Sequence, residues 1–211
     1  FTLGGVWDDQ MDGMAVDGSG NVYVAGTMRA EVNFNPLGPS QILTLPVYAP
    51  FVAKYHPDGQ LEWVRFLYDP TKVQCGANLG LALDADANVY VGGEFYGTPH
   101  WEGWPSPSPF PALAITTNVP STSNSTGVPY VAKLKSNGDF VWAFDLQDLA
   151  KDKSGAIQDV EVKDNYLYIT GGAVANANIN FAPLGGAPIL QAPRPSGNFI
   201  ARYNLQGQAQ K

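Results

Sequence analysis

Two short motifs occur three times in this chain, at a spacing that points to a repeat architecture. Asn21-Val-Tyr-Val-Ala-Gly26 returns as Asn88-Val-Tyr-Val-Gly-Gly93 and as Tyr166-Leu-Tyr-Ile-Thr-Gly171. Downstream of each, Phe51-Val-Ala-Lys-Tyr55 returns as Tyr130-Val-Ala-Lys-Leu134 and Phe199-Ile-Ala-Arg-Tyr203. A sequence that restates itself in this way is built of like units that bury their faces against one another. The units run 1–67, 68–146 and 147–211, and together they are expected to form one domain.

The pattern inside a unit is that of strands and turns. An apolar segment ends at a polar turn: Met14-Ala-Val-Asp17 before Gly18-Ser-Gly-Asn21, Leu81-Ala-Leu-Asp84 before Ala85-Asp-Ala-Asn88, and Val160-Glu-Val-Lys163 before Asp164-Asn165. Asp, Asn and Gly tolerate tight and left-handed turn geometry. The strand ending in glycine follows, then a variable stretch, then the Phe-Val-Ala-Lys-Tyr strand. A second turn, His56-Pro-Asp-Gly59 or Lys135-Ser-Asn-Gly138, leads into Leu61-Glu-Trp-Val-Arg-Phe66 or Phe140-Val-Trp-Ala-Phe144. No stretch keeps a helical period, and 23 Gly with 17 Pro suit many short connections, so the class is all-β. Val22-Tyr-Val-Ala25 and Phe51-Val-Ala53 are apolar on both faces and need cover on both sides. Four-stranded units stacked face to face supply it, as the blades of a β-propeller do.

The variable stretches differ between units. The glycine-ended strands of the first two units lie 67 residues apart and their Val-Ala-Lys motifs 79 apart, so unit two carries about 12 extra residues. These fall in a Pro-, Ser- and Thr-rich run from Trp104 to Thr126, which reads as an extended loop. Asn33-Phe-Asn-Pro-Leu-Gly38 and Asn180-Phe-Ala-Pro-Leu-Gly185, each followed by an apolar segment, predict an extra hairpin projecting from units one and three. Unit two has His100-Trp-Glu-Gly-Trp104 there instead.

On these residues the chain resembles the bacterial SBBP-type β-propeller repeat. The Asn-Phe-Asn-Pro-Leu-Gly insert is similar to the Asp-Phe-Asp-Pro-Gly segment in repeat proteins of Bacteroidetes. The resemblance spans nearly the whole chain. It implies three consecutive four-stranded blades with inserted hairpins in a secreted or cell-surface bacterial protein. It carries no shared active site with it. Three blades are too few to close a ring, since propellers have four to eight. Gly207-Gln-Ala-Gln-Lys211 also lacks the apolar residues of Gly59-Gln-Leu-Glu-Trp63, so that Lys211 stands where Trp63 and Trp142 stand. Phe1-Thr-Leu-Gly-Gly5 reads as the end of a closing strand. The expectation is a segment of a larger propeller, in contact with further blades or with other subunits.

Charge and chemistry narrow the function classes. The net charge is −7 and the basic residues are scattered, which argues against nucleic acid or an anionic membrane surface as partner. No apolar run approaches the roughly 20 residues that span a bilayer, so no membrane insertion is expected. Cys75 is the single cysteine and reads as a small packed side chain. Asp84-Ala-Asp-Ala-Asn88 and Asp17-Gly-Ser-Gly-Asn21 echo the alternating oxygens of a calcium loop but lack its central glycine and distal acid, and they read as turns. Asp8, Asp9 and Asp12 read as a solvated loop. His56 and His100 are the only histidines and have no nucleophile grouped with them. Asn124-Ser-Thr126 matches a glycosylation acceptor. No catalytic residue, metal or cofactor is assigned. Trp63 and Trp142 repeat and are read as core. Trp101 and Trp104 do not repeat. With Tyr96 and Phe110 they form the candidate platform for a glycan or a protein partner. A scaffold or binding module is the expectation. The alternatives are a subunit of a surface layer or filament, and a propeller lyase or hydrolase whose site lies partly elsewhere.

Overall fold

The computed structural model describes residues 1–5, 9–69, 76–96, 100–104, 127–146, 155–174, 178–182, 184, 189–191 and 196–210. Among them there is no helix, and the fold is all-β with several antiparallel sheets. The first sheet holds β1 (Gln10–Val16), β2 (Val22–Asn33), β3 (Ile42–Tyr55) and β4 (Leu61–Tyr68) in chain order. The second holds β5 (Gly76–Leu83), β6 (Val89–Phe95), β8 (Val128–Leu134) and β9 (Phe140–Asp145). The third holds β10 (Gly155–Lys163), β11 (Tyr166–Val174) and β14 (Ser196–Asn204).

Equivalent irregularities recur. The first strand of each of these three sheets is bulged at the same point: between Met11 and Gly13, between Asn78 and Gly80, and between Ile157 and Asp159. A bulge inserts one residue and increases local twist, so recurrence at one place gives all three sheets the same bend. The third sheet turns at Asp164 and Asn165, with φ of 51° and 62°, the left-handed pair that a two-residue hairpin requires.

The sheets are layered in chain order, and each offers one face to the sheet before it and one to the sheet after it. We call these the leading and trailing faces. Tyr23, Ala25, Val52 and Trp63 on the trailing face of the first sheet pack with Val89, Val91, Tyr130 and Leu134 of the second. Tyr90, Val131 and Phe144 on the trailing face of the second pack with Ile157, Val160, Ile169 and Tyr203 of the third. The glycines of β1 and β5 set the approach: a methyl group at Gly80 would lie 2.7 Å from the Val160 backbone nitrogen, and one at Gly13 3.0 Å from Leu81 Cβ. The core therefore consists of two layers between sheets and a third cluster on the leading face of the first sheet.

Three details differ from the expectation. The hairpin of the first unit does not project. It continues β2 and β3 past a bulge at Ala30, and Phe34 folds down on Phe51 with ring centroids 5.2 Å apart. The third unit repeats this with β12 (Asn178–Asn180) paired to β13 (Ile189–Gln191) and Phe181 on Phe199 at 4.9 Å. Burying a phenylalanine outweighs leaving the arm in water. The third sheet has three strands among the described residues. Where the fourth strand of the first sheet begins, with Leu61 opposite Tyr55, the third has the equivalent bridge between Tyr203 and Ala209. Finally, His100–Trp104 is not loop but β7 (His100–Trp104), which crosses to the first sheet and pairs with β4 as its fifth strand.

Candidate functional site: the joints between sheets

The repeated motifs place a lysine on β3 and a tryptophan on β4, opposite each other in register: Lys54 beside Trp63, and in the second sheet Lys133 beside Trp142. Both side chains of each pair reach across to one backbone carbonyl of the next sheet. Trp63 Nε1 and Lys54 Nζ each donate to the Ser136 carbonyl at 3.1 Å. Trp142 Nε1 and Lys133 Nζ donate to the Leu205 carbonyl at 3.4 and 3.3 Å. The acceptors hold equivalent places in the turns Lys135-Ser-Asn-Gly138 and Asn204-Leu-Gln-Gly207. The glycine two residues later, with φ of 82° and 79°, leaves room for the indole; a methyl group on Gly138 would lie 2.8 Å from the Trp63 ring.

A tyrosine and an aspartate complete each joint. Lys54 lies 5.4 Å from the Tyr23 ring centre, and Lys133 4.9 Å from that of Tyr90. Tyr23 donates to Asp17 Oδ2 at 3.3 Å, and Tyr90 to Asp84 Oδ2 at 3.0 Å. The same aspartates bind their own turns. Asp84 accepts from the backbone of Asp86 and Asn88 and from the Asn88 amide, and Asp17 accepts from Ser19 and Asn21 in the same way. Burial alone would raise the Asp84 carboxyl; the hydrogen bonds of Asn88 and Tyr90 and the charge of Lys133 outweigh it and hold the group below the usual carboxylate value. Asp17 is likewise lowered, against a burial contribution, by Asn21, Ser19 and Tyr23. These carboxylates thus act as the knots of turns. Among the described residues, no three His, Cys, Asp or Glu groups gather to hold a metal ion.

The two joints balance the lysine differently. Lys54 pairs with Glu62 at 2.8 Å, whereas Lys133 pairs with Asp84 at 3.5 Å. Beside the indole the first joint has Arg65, whose Nε donates to the Gly138 carbonyl at 3.1 Å. Burial pulls its guanidinium down to about 10, opposed by the charge of Asp139. The second joint has Phe144 in that place, stacked on Trp142 at 5.4 Å and 5.1 Å from the Tyr203 ring.

Of the candidate platform, Trp101 and Trp104 stand on β7 and Tyr96 follows β6. Register sets Trp101 opposite Leu67 and Trp104 opposite Val64, on the outermost strand of the first sheet. Tyr96 donates to Glu94 Oε1 at 3.0 Å, and burial, with the Glu94 charge, raises its hydroxyl to about 12. Phe110, Cys75, Asp8 and Asn124-Ser-Thr126 lie outside the described residues. His56 stands 3.7 Å from Glu62 at the surface of its turn. Asp9 caps backbone groups of Gly5 and Arg29. Asp12 accepts from Gln10 through Oδ1, while its buried Oδ2 has no partner.

The joint was half visible in the sequence. The donors repeat as residue types, but the acceptor is a main-chain carbonyl that Ser136 and Leu205 supply equally well, so it leaves no signature. No protein-family model matches the chain, and no curated protein matches it. No described helix is long and apolar enough to cross a membrane.

Proposed function

We propose that the chain is a non-catalytic scaffold or binding module of the β-propeller type, each sheet serving as a blade, in a secreted or cell-surface bacterial protein. Its partner is a protein or a glycan, met through loops and inserts. One observation carries the reading: the polar side chains of the joints are taken up in holding sheet to sheet. Lys54, Trp63, Lys133 and Trp142 all end on backbone carbonyls of the neighbouring sheet. Asp17 and Asp84 are occupied by their own turns. A catalytic acid–base pair needs a group free to exchange a proton with substrate, and the joints offer none.

The test is a glycan and surface-protein binding panel run with the chain and with two variants, Trp101→Ala/Trp104→Ala and a deletion of 105–126. Saturable binding without turnover, weakened in a variant that keeps its thermal midpoint, is the expected result. Turnover of a polysaccharide or peptide by the purified chain would overturn the reading. Assembly into a surface layer is the second reading, favoured by Met14 and Val16, which stand exposed on the leading face of the first sheet. Electron microscopy of the concentrated protein tests it.

A further inference from the structure

The second joint shows what a trailing face brings to the turn of the next sheet. Around Gly207, a methyl group would lie 2.9 Å from Leu184 Cδ1 and 3.4 Å from both Phe144 and Trp142. Three side chains therefore close over this glycine: a leucine of the sheet's own insert, and a phenylalanine and a tryptophan from the sheet before.

The first sheet reproduces two of the three. Over Gly59, a methyl group would lie 2.7 Å from Leu37 Cδ1 and 3.2 Å from the Phe1 ring. Leu37 is the counterpart of Leu184 in the Asn-Phe-x-Pro-Leu-Gly insert. Phe1 takes the part of Phe144: its ring stands 5.1 Å from Tyr55, as that of Phe144 stands 5.1 Å from Tyr203. Leu3, two residues on, packs into the leading-face cluster as Leu146 does into the layer between the second and third sheets. The tryptophan's place is a cleft of about 700 Å³, lined by Phe1, Met14, Leu37, Tyr55, Pro57 and Gly59 among others. Met14 beside it is 69% exposed, while its counterpart Val160 is 2% exposed. Asp12 Oδ2, in the same lining, is buried and has no hydrogen-bond partner.

We infer that this cleft seats a tryptophan side chain carried by the fourth strand of a further sheet of this repeat type, with the indole N–H and the neighbouring lysine donating to the Pro57 carbonyl. Pro57 holds the turn position of Ser136 and Leu205, and a carbonyl is all that the position needs to provide. The occupant follows from continuity with the two joints already made. The trailing face of a second copy does not fit. Where Gly13 and Gly80 admit the next sheet, the third sheet has Asp159; where Ala25 and Gly92 lie flat, it has Thr170. In the lysine position stands Arg202, turned onto the Tyr166 ring at 4.8 Å. The inference rests on reading the sheets as like units, and it does not depend on whether the module binds a glycan.

Extending the chain tests it. Phe-Val-Trp-Ala, the sequence of 140–143, is placed directly before Phe1, so that the added tryptophan stands two residues from Phe1 as Trp142 stands from Phe144. The control carries Ala for that Trp. The Trp extension is expected to raise the thermal midpoint by several degrees and to slow peroxide oxidation of Met14 several-fold, read by peptide mass spectrometry; the control is expected to match the unextended chain. Equal behaviour of the two extensions, or failure of the Trp extension to fold, overturns the inference. So does an unextended chain that sediments as a dimer with Met14 protected, which would give the face to a second copy. The glycan panel reads the scaffold proposal separately, so either idea can fall alone.

Discussion

The trailing faces of the first two sheets share a turn aspartate, two small residues at the close approach, a lysine and a tryptophan; the third keeps the tyrosine, as Tyr168, and departs at the other positions. Turn aspartates Asp17 and Asp84 correspond to Lys163, the close-approach glycines Gly13 and Gly80 to Asp159, Ala25 and Gly92 to Thr170, Lys54 and Lys133 to Arg202, and Trp63 and Trp142 to Lys211. A lysine and an indole reach for a carbonyl only where a glycine lets the next backbone come close. Where the glycine is gone, the other members have nothing to hold. The trailing face of the third sheet carries Asp159, Thr170 and Arg202 beside Ile200, which is 78% exposed.

The tryptophans give the largest expected effect. Removing a buried indole costs about 3–5 kcal/mol. Trp63 is 1% exposed and its hydrogen bond is the shorter, so Trp63→Ala belongs at the upper end; Trp142, only partly buried, belongs at the lower. Urea unfolding of both variants measures this. Equal losses would mean that the two joints are energetically one structure, despite Arg65 in the first and Phe144 in the second.

The glycines test the spacing. Gly80→Ala puts a methyl group against the backbone of β10, which cannot turn aside, and is expected to cost about 1–3 kcal/mol. Gly13→Ala meets Leu81 at 3.0 Å and costs less. Asp159→Ala removes only a hydrogen bond to the Val160 amide, worth about 1 kcal/mol. That ranking, read from denaturant midpoints, separates a close approach from a position that merely lacks bulk. A Gly13→Ala loss larger than that of Gly80→Ala would break it.

Much of this was legible beforehand, for a physical reason. Strand and turn are local: Val22-Tyr-Val-Ala25, Phe51-Val-Ala53 and the Asp-Asn turns declare themselves through side chains that act on their own backbone. What escaped depends on distant backbone. His100–Trp104 joins an edge more than thirty residues away, and any extended segment of suitable length could pair there, since main-chain hydrogen bonds do not read side chains. The repeated lysine and tryptophan were visible as a pattern, but Trp101 and Trp104 drew the functional reading because they failed to repeat.

Acid separates the two lysines. The folded Asp84 carboxyl lies below its unfolded value, so its contribution is complete above about pH 4 and is lost as the pH falls through the folded pKa. Lys133 is one of the groups that lower it. In Lys133→Met the folded value rises, the loss begins at higher pH, and the stability gap to the parent narrows once both carboxyls are protonated. Lys54→Met should leave the acid limb unchanged, because Lys54 pairs with Glu62 and contributes nothing to the lowering of Asp17. Unfolding midpoints from neutral pH down to about pH 2.5 give both curves. A parallel shift in the two variants would mean that the choice of counter-ion is without consequence.

The smallest expected effect lies at the bulge of the first strand, where Asp12 corresponds to Leu79 and Gln158. Only the first sheet places an ionisable group there, and only its leading face is uncovered. Burial raises the Asp12 carboxyl, partly offset by the hydrogen bond from Gln10. The native state then holds the proton more tightly than the unfolded chain, so stability falls as the pH rises from the unfolded value through the folded one. At neutral pH the ionised group is a cost. Asp12→Asn keeps an oxygen for Gln10 and removes the charge, so the variant is expected to melt slightly above the parent at pH 7, by about 1–2 °C given how much solvent reaches the group. Near pH 3 the two should coincide. A gain of equal size at both pH values would trace the effect to packing and not to charge. If the tryptophan extension covers this face as inferred, the cost of the buried charge grows, and the Asn variant should gain more in the extended chain than in the parent.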